Sequence, residues 1–345
     1  MRIAICTGQI PFARGGAELQ TEALAVQLRL RGHQVEIVQI PFRWYPKSEV
    51  LKGYLAWRLI NLDESEGVPI DRVIALKYPG FVVKHPYKVT WLIQQFRQAY
   101  DLFGTEFSHF DNSPEDTELR RAIQQIDTVT LAESRRIFTN AGNTGKRLWE
   151  FNKLRSEPLY VPPALDGQFR NEGYGDYIFT VSRLNRMKRI DQLVKAMGLV
   201  RTPVKCKIAG EGEELENLRR LAQRVGATER IEFVGFVDDQ TLLSLYAGAL
   251  AVYYAPLDED YGLVTVEAMK SAKPVLTTTG SGGPLEFVAD GVTGFVTSTG
   301  DAAALAGRID ELYEDRRLAE RMGAAGSRKV GDINWDYTIR RLLEA

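Results

Sequence analysis

Apolar and polar residues alternate along the first half of the chain in a way that predicts strands and helices in turn. An apolar, β-branched run at 2–8 precedes an amphipathic pattern at 17–31, and a second apolar run follows at 34–40. Similar β-like runs lie at 72–78, 88–93, 136–140 and 159–163. Strands that alternate with helices predict a doubly wound parallel sheet.

A stretch at 162–176 with Pro, Gly and Asn interrupts this rhythm, as a linker between domains does. The alternation then restarts, with β-like runs at 177–184, 204–210, 231–236, 249–256, 274–279 and 294–298. The sequence therefore predicts two doubly wound α/β domains. Ligands of such sheets bind beyond the carboxyl ends of the strands, so we expect a site in a cleft that the two domains face.

Composition narrows the class of protein. The 345 residues are 44% hydrophobic and 26% charged, with a formal net charge of −1, which argues against nucleic acid as a partner. The only cysteines, Cys6 and Cys206, lie in apolar runs, so we expect no disulfide framework and a cytoplasmic location. No export or membrane-spanning segment is visible, and the three histidines lack metal-ligand spacing.

The stretch DEDYGLVTVEAMKSAKPV, residues 258–275, carries candidate chemistry. Gly262 breaks the preceding strand, and a helix is predicted from Leu263. The first helical amides, near Leu263 and Val264, have no intrahelical acceptor and suit a phosphate. Glu267 lies one turn later, where a carboxylate can accept hydrogen bonds from two sugar hydroxyls. The alternative is that Glu267 pairs with Lys270 on a solvated face.

Other loops are predicted to meet this stretch. Arg183 and Lys188 follow a strand and suit a diphosphate, although each could be ordinary surface charge. Gly282 and Gly283 follow another strand and open a predicted helix, which would let backbone approach a bound group. The alternative for these glycines is a tight turn.

In the first half, Gly15 and Gly16 in FARGGAELQ, residues 12–20, predict a loop of close approach between a strand and a helix. By contrast, GEGEEL, residues 210–215, lacks the last glycine of a dinucleotide fingerprint and places three glutamates where a pyrophosphate would be repelled. We therefore expect no nicotinamide site there.

These motifs together resemble the retaining nucleotide-sugar glycosyltransferases of family 4, which have the two-domain GT-B fold. The most specific element is the E-x7-E motif from Glu259 to Glu267. The order and spacing of the surrounding motifs strengthen the resemblance: VSRL at 181–184 with Lys188, IAGEGEE, FVGFV, GGPLEFV and GGAE. It covers nearly the whole chain.

The resemblance implies roles for particular residues. Arg183 and Lys188 would hold the donor diphosphate and stabilise its charge, with the amides of Leu263 and Val264. Glu267 would bind the ribose, and Glu259 the transferred sugar. The residues bordering the nucleobase would be Val234 and Phe236. The diphosphate itself would receive the acceptor proton, so that neither a metal nor a cofactor is needed.

The resemblance also implies an N-terminal, acceptor-side Rossmann-like domain at 1–165 and a nucleotide-sugar-binding domain at 166–330. A helix within 331–345 would cross back to the first domain. Many relatives carry a histidine after the strand at 88–93, where this chain has Gln94 and Gln95. Gln95 could instead bond a sugar hydroxyl.

An aromatic and basic stretch at 42–60 could present Trp44, Tyr45 and Trp57 to a sugar, a lipid carrier or the inner face of the membrane. The alternative is a helix that packs its aromatics into the first domain. The expected function is transfer of a sugar from a nucleotide-diphosphate donor to a hydroxyl of a glycan or lipid-linked saccharide. The alternative function, suggested by the missing histidine, is a catalytically silent nucleotide-sugar-binding subunit.

Overall fold

The computed structural model describes residues 1–12 and 15–345, and the chain forms two compact units. Unit 1 comprises residues 1–164 and 335–345, and unit 2 comprises residues 165–334. Each unit is built around one six-stranded sheet. The predicted fold class, α/β with two parallel-sheet domains, is confirmed.

Unit 1 contains a parallel sheet with a small hairpin outside it. Its strands are β1 (Arg2–Gln9), β2 (Gln34–Pro41), β3 (Glu64–Ser65), β4 (Val68–Pro69), β5 (Arg72–Lys77), β6 (Lys88–Gln94), β7 (Arg136–Thr139) and β8 (Glu157–Pro158). The sheet order is β2-β1-β5-β6-β7-β8, and β3 with β4 forms the antiparallel hairpin. The central strands β5 and β6 are apolar because both faces of a doubly wound sheet are covered.

Four helices connect these strands: α1 (Gly16–Leu30), α2 (Glu49–Leu59), α3 (Pro114–Ala132) and α4 (Gly142–Asn152). Ser113 caps the start of helix α3, since its hydroxyl accepts the Asp116 amide at 3.3 Å, and Pro114 occupies the first turn. Trp57 and Trp91 are fully buried in the core of unit 1.

Unit 2 repeats the architecture with a different strand order. Its strands are β9 (Tyr177–Val181), β10 (Lys205–Ala209), β11 (Ile231–Gly235), β12 (Ala251–Tyr253), β13 (Val275–Thr278) and β14 (Gly294–Thr297), in the order β11-β10-β9-β12-β13-β14. Its helices are α5 (Ile190–Met197), α6 (Leu215–Arg224), α7 (Asp239–Ala247), α8 (Leu263–Lys270), α9 (Ala302–Glu314) and α10 (Arg316–Lys329).

The last helix, α11 (Trp335–Leu343), belongs to unit 1. Its Trp335 indole donates to the Pro163 carbonyl at 3.1 Å. At its other end, the Arg72 guanidinium donates to the Leu342 carbonyl at 2.9 Å and to the Ala345 carbonyl at 2.6 Å. A cation at the carboxyl end of a helix is favourable because the last carbonyls have no intrahelical donor.

Three local predictions were wrong. The strand predicted at 159–163 is absent: pairing ends with β8, apart from one bond from the Leu159 amide to Thr139, since Pro162 and Pro163 have no amide hydrogen. The run at 249–256 forms only the three-residue strand β12. The helix predicted after Gly282 is a single 3-10 turn, Gly283–Glu286.

Candidate functional site

The strand order of unit 2 reverses direction between β9 and β12, because the chain lays β10 and β11 on one side of β9 and β12 on the other. Open α/β sheets bind ligands beyond the carboxyl ends of the strands at such a point, so the loops that leave β9 and β12 are where a site is expected. The predicted residues Arg183 and Lys188 follow β9, and Glu259 follows β12. The topology alone thus selects this edge as the candidate site.

Backbone hydrogen bonds hold the Glu259 turn in place. The Glu259 amide donates to the Ser281 carbonyl at 2.9 Å, and the Glu259 carbonyl accepts from the Gly283 amide at 2.7 Å. The Leu257 amide donates to the Met187 carbonyl at 2.7 Å. The turn is therefore tied both to the loop after β13 and to the loop after β9 that carries Lys188.

Lys188 and Glu259 form an ion pair, and the Lys188 ammonium also donates to the Tyr254 hydroxyl at 3.3 Å. Burial disfavours the charged ammonium, but Tyr254 and Glu259 outweigh that effect and raise the pKa of Lys188. Lys188 therefore stays protonated at neutral pH. Tyr254 was not predicted, although its place directly after β12 at the carboxyl edge is a signal that could have found it.

Glycines allow three backbone segments to meet at this site. Gly262, directly before α8, has φ +85°, and a Cβ there would lie 2.8 Å from Pro284 Cγ. Gly282 has φ +70°, and a Cβ would lie 2.6 Å from the Glu259 carbonyl oxygen. A Cβ on Gly283 would lie 2.6 Å from the carbonyl oxygens of Asp260 and Tyr261. The closest backbone to Gly282 and Gly283 is thus this chain's own turn, and their approach to a ligand stays a prediction.

Glu267 projects from α8 and accepts a hydrogen bond from the Tyr246 hydroxyl at 2.7 Å. Burial raises the pKa of Glu267 to about 7, the Tyr246 bond lowers it, and the negative charge of Asp239 raises it. The alternative pairing with Lys270 is wrong, because Lys270 forms its ion pair with Asp166 at 2.7 Å. The sequence around Tyr246 does not predict it as a partner of Glu267, since α7 and α8 come together only in the folded chain.

The remaining predicted residues of unit 2 differ in exposure. Arg183 is exposed, and within the described residues its guanidinium makes no hydrogen bond or ion pair. Val234 is half-buried at the end of β11, and Phe236 is 79% exposed just beyond it. Leu263 and Val264 are half-buried in the first turn of α8, where their amides have no intrahelical acceptor.

The loop GEGEEL packs against the loop after β9. Gly210 has φ +111°, and a Cβ would lie 1.9 Å from the Ser182 carbonyl oxygen. A Cβ on Gly212 would lie 2.2 Å from the Leu184 carbonyl oxygen. These glycines serve close packing of two loops, which agrees with the rejection of a nicotinamide site on sequence grounds.

In unit 1 the strand order reverses between β1 and β5, and the GGAE loop follows β1. Residues 13 and 14 of the predicted stretch lie outside the described residues. The Gly15 amide donates to Glu18 at 2.9 Å, and Glu18 also pairs with Lys77 at the end of β5 at 2.5 Å. A Cβ on Gly16 would meet no described atom within 4 Å. Glu18 and Lys77 therefore fix the loop that carries both glycines.

The suggested sugar contact of Gln95 was wrong. Gln95 is fully buried, and its amide donates to Asn152 Oδ1 at 2.7 Å. Asn152 in turn lies beside Tyr100, whose hydroxyl donates to Asp127 at 2.6 Å. Gln95 thus belongs to an internal polar network of unit 1, whereas Gln94 is half-buried at the end of β6.

The aromatic stretch at 42–60 divides between core and surface. Trp57 is fully buried in the core of unit 1, so for this residue the packing alternative is confirmed and presentation to a ligand or membrane is excluded. Trp44 is half-buried and contacts Tyr45, which is 63% exposed. In the part of the chain that the structure describes, no helix is both long enough and apolar enough to span a membrane.

A cavity of about 420 Å³ opens on unit 1 rather than at the carboxyl edge of unit 2. Its lining is Gly142, Gly145, Trp149, Leu154, Arg155, Ser156 and Pro158. None of the predicted site residues lines it. Among the described residues, no group of three His, Cys, Asp or Glu side chains is arranged to hold a metal ion.

Comparisons with known proteins identify relatives of unit 2 and of the whole chain. The family model of group 1 glycosyl transferases matches residues 166–329, which is nearly all of unit 2. The GDP-mannose-dependent alpha-(1-6)-phosphatidylinositol monomannoside mannosyltransferase of Mycolicibacterium smegmatis is 31% identical over 374 residues. That match covers 99% of this chain and 97% of the relative, so it spans both units.

Solved structures share the fold at low identity. Sucrose-phosphate synthase from Thermosynechococcus elongatus has a TM-score of 0.76 at 17% identity, and covers 99% of this chain and 97% of its own. Anabaena HepE in complex with UDP-glucose has a TM-score of 0.72 at 18% identity, over 100% of this chain and 98% of its own. The fold is GT-B. The chain belongs to the group 1 glycosyl transferase family.

Proposed function

We propose that this glycosyltransferase is a retaining, metal-independent family 4 enzyme that transfers a sugar from a nucleotide-diphosphate donor to a hydroxyl group. The observation that carries the proposal is the grouping at the carboxyl edge of unit 2. Lys188, Glu259 and Tyr254 contact one another there, and Glu259 and Glu267 flank the first turn of α8.

Each element of this grouping suits one part of a nucleotide sugar. A cation and the first amides of α8 stabilise a diphosphate, and Arg183 supplies a second cation. The Glu267 carboxylate accepts the ribose hydroxyls, and Glu259 accepts hydroxyls of the transferred sugar. Val234 and Phe236 border the base. In this assignment unit 2 holds the donor, and unit 1 provides the acceptor side.

The reaction then depends mainly on charge stabilisation. The bond between the anomeric carbon and the diphosphate oxygen breaks, and the acceptor oxygen bonds to the same face of that carbon. The acceptor proton passes to the leaving phosphate oxygen, so no separate base and no resident cofactor are required. Lys188 exchanges part of its contact with Glu259 for the developing phosphate charge, which is stabilisation of the transition state.

The acceptor class is a glycan or a lipid-linked saccharide, and the location is the cytoplasm with peripheral contact at the inner face of the membrane. Support for membrane contact comes from exposed Tyr45 and from Leu55 and Leu59 on α2, which are 59% and 75% exposed. The mycobacterial relative's name includes a phosphatidylinositol acceptor. Liposome flotation of the wild type and of a Leu55→Ser, Leu59→Ser double variant tests this contact.

Incubation with a panel of nucleotide sugars and acceptors tests the activity. The panel includes UDP-, GDP- and ADP-sugars, because a relative's name specifies GDP-mannose and HepE was solved with UDP-glucose. We expect transfer, or slow donor hydrolysis, that Glu267→Ala weakens, and NMR of the product anomer tests retention. Absence of both reactions together with unchanged nucleotide binding by Glu267→Ala would contradict the proposal. The silent-subunit alternative is not favoured by the family membership.

A further inference from the structure

Tyr246 contacts the proposed donor site although neither the family motif nor the sequence marks it. Its hydroxyl donates to Glu267 Oε2 at 2.7 Å. Within the described residues, the other carboxylate oxygen of Glu267, Oε1, makes no hydrogen bond. One oxygen is therefore held by the protein, and the other is available to a ligand.

The surroundings of Tyr246 fix the direction of its hydroxyl. The residue is fully buried, and its ring makes edge-to-face contacts with Phe169 and Phe179 at centroid distances of 5.9 Å and 5.0 Å. Among the described residues, the acceptor that this hydroxyl contacts is Glu267. A buried hydroxyl that loses its acceptor is unfavourable, so the bond to Glu267 persists.

We propose that Tyr246 is a positioning residue, which holds one carboxylate oxygen of Glu267 so that the other accepts the ribose hydroxyls of the donor nucleotide. The inference rests on the proposed function of the same site. Tyr246 does not touch the donor in this arrangement. It acts through the orientation and charge of the Glu267 carboxylate.

The charged and titratable groups around Glu267 predict a pH dependence. From α7, Tyr246 donates its hydrogen bond and the charge of Asp239 disfavours a second negative charge. Tyr254 lies near enough to influence Tyr246. On α8 itself, Lys270 is paired with Asp166. With its pKa near 7, the Glu267 carboxyl is partly protonated before donor binding, whereas ribose hydroxyls bind its ionised form.

Two consequences follow. Nucleotide affinity should rise with pH through about 7, because ionisation precedes or accompanies binding. Removal of the Tyr246 hydroxyl should raise the pKa of Glu267, because the carboxylate loses a hydrogen bond that favours its charged form. The pH profile of nucleotide affinity should then move upward by about one pH unit, and affinity at pH 7 should fall about fivefold, since the ionised fraction of Glu267 drops from about one half to about one tenth.

The test compares Tyr246→Phe with Tyr177→Phe in the full chain. Tyr177 is a matched control, since its hydroxyl donates to the Leu245 carbonyl at 2.8 Å, on the same helix, and does not contact Glu267. Glutamate labelled with 13C at the carboxyl group reports the Glu267 titration by NMR, and Glu267→Gln assigns the signal. Calorimetry with UDP, GDP and ADP gives affinities from pH 5.5 to 9.

The two readouts separate the inference from the function on which it rests. A Glu267 titration that moves upward in Tyr246→Phe alone, with a matching shift in nucleotide affinity, supports the inference. Unchanged titration and affinity in Tyr246→Phe overturn it while nucleotide binding by the wild type leaves the function standing. If no nucleotide binds the wild type at any pH, the proposed function fails and the donor-positioning role is overturned with it, even where the titration moves.

Discussion

The two units each contain a carboxyl group that accepts a hydrogen bond from a tyrosine, and the two pairs differ in access. In unit 1 Tyr100 donates to Asp127 at 2.6 Å, and in unit 2 Tyr246 donates to Glu267 at 2.7 Å. Burial raises the pKa of both carboxyls to about 7. Asp127 is fully enclosed, whereas Glu267 is only half-buried beside the first turn of α8.

A shifted pKa does not by itself identify a functional site. Asp127 lies in a closed network with Tyr100 and Asn152, where no ligand can reach it. Glu267 has the same local chemistry, but it is half-buried on α8, and α8 follows β12 at the point where the strand order reverses. Access and neighbours therefore separate a carboxyl that affects stability from one that is proposed to bind the donor.

Loss of the ion pair between Lys188 and Glu259 should affect the transfer rate more than any other change considered. Lys188→Ala should lower the transfer rate about 100-fold to 1000-fold, because it removes the cation that is proposed to stabilise the leaving diphosphate. Stability should change by about 1 kcal/mol or less, since the Lys188–Glu259 pair is partly exposed. Lys270→Ala, which breaks the pair with Asp166 in the same unit, is the control and should leave the rate near wild type. Equal losses in both variants would contradict the assignment.

The next effect concerns the two carboxyls directly. Glu267→Gln should weaken nucleotide binding about tenfold to 100-fold at pH 8, since a neutral amide is a poorer acceptor for two hydroxyls than a carboxylate. Asp127→Asn should leave nucleotide affinity unchanged, because Asp127 is enclosed in unit 1. Calorimetry measures both. A loss of affinity in Asp127→Asn would remove the distinction between the two pairs.

The free energy of unfolding, unlike nucleotide affinity, should depend on Asp127. The folded-state pKa of Asp127, about 7, lies above the unfolded value of about 3.9, so the folded state binds an extra proton between these values. Its contribution to stability is therefore greatest below about pH 4 and is lost as pH rises to about 7. Asp127→Asn should remove this slope and raise the free energy of unfolding at pH 8 by at least about 1 kcal/mol. Urea unfolding at pH 5 and pH 8 measures the difference, and a less stable variant at pH 8 would contradict it.

A substitution at Ala272 in unit 2 should change the stability of the protein slightly and leave its activity unchanged. Ala272 occupies φ +50°, a left-handed backbone conformation that glycine adopts without steric strain. Ala272→Gly should stabilise the protein by about 0.5–1 kcal/mol, because it relieves left-handed strain although it adds freedom to the unfolded chain. Ala303→Gly, in the exposed face of α9, should destabilise by a similar amount. Thermal unfolding that shows the same sign for both variants would be inconsistent with this account.

The sequence predicted the fold well because β-branched runs and amphipathic patterns are local signals. The central strands β1, β5, β6 and β9 lie where their apolar runs are. The run at 249–256 misled because residues outside the three-residue strand β12, such as Leu250 and Ala255, are buried by contacts within the core of unit 2. Such contacts form only after the chain folds, so no pattern within the run records them.

The site was predictable only in part, for the same physical reason. Glu259, Glu267 and Lys188 carry a motif spacing that the sequence displays. Tyr246 does not, because it reaches Glu267 from a helix 21 residues earlier. Gln95 was wrongly given a ligand contact because it follows β6. Its partner Asn152 lies 57 residues later in the chain, and the two residues meet in a buried network.

The placement of α11 in unit 1 gives the chain a nested layout. Unit 2 is one uninterrupted run, residues 165–334, inserted between two segments of unit 1. A single coding segment therefore specifies the whole of the proposed donor-binding half, with its ends at 164/165 and 334/335. Residues 165–334 can therefore be exchanged between relatives as one fragment. The contacts of Trp335 with Pro163 and of Arg72 with Leu342 lie outside that fragment and are retained. On the proposed assignment of the donor to unit 2 and the acceptor to unit 1, this exchange would recombine donor preference with acceptor preference.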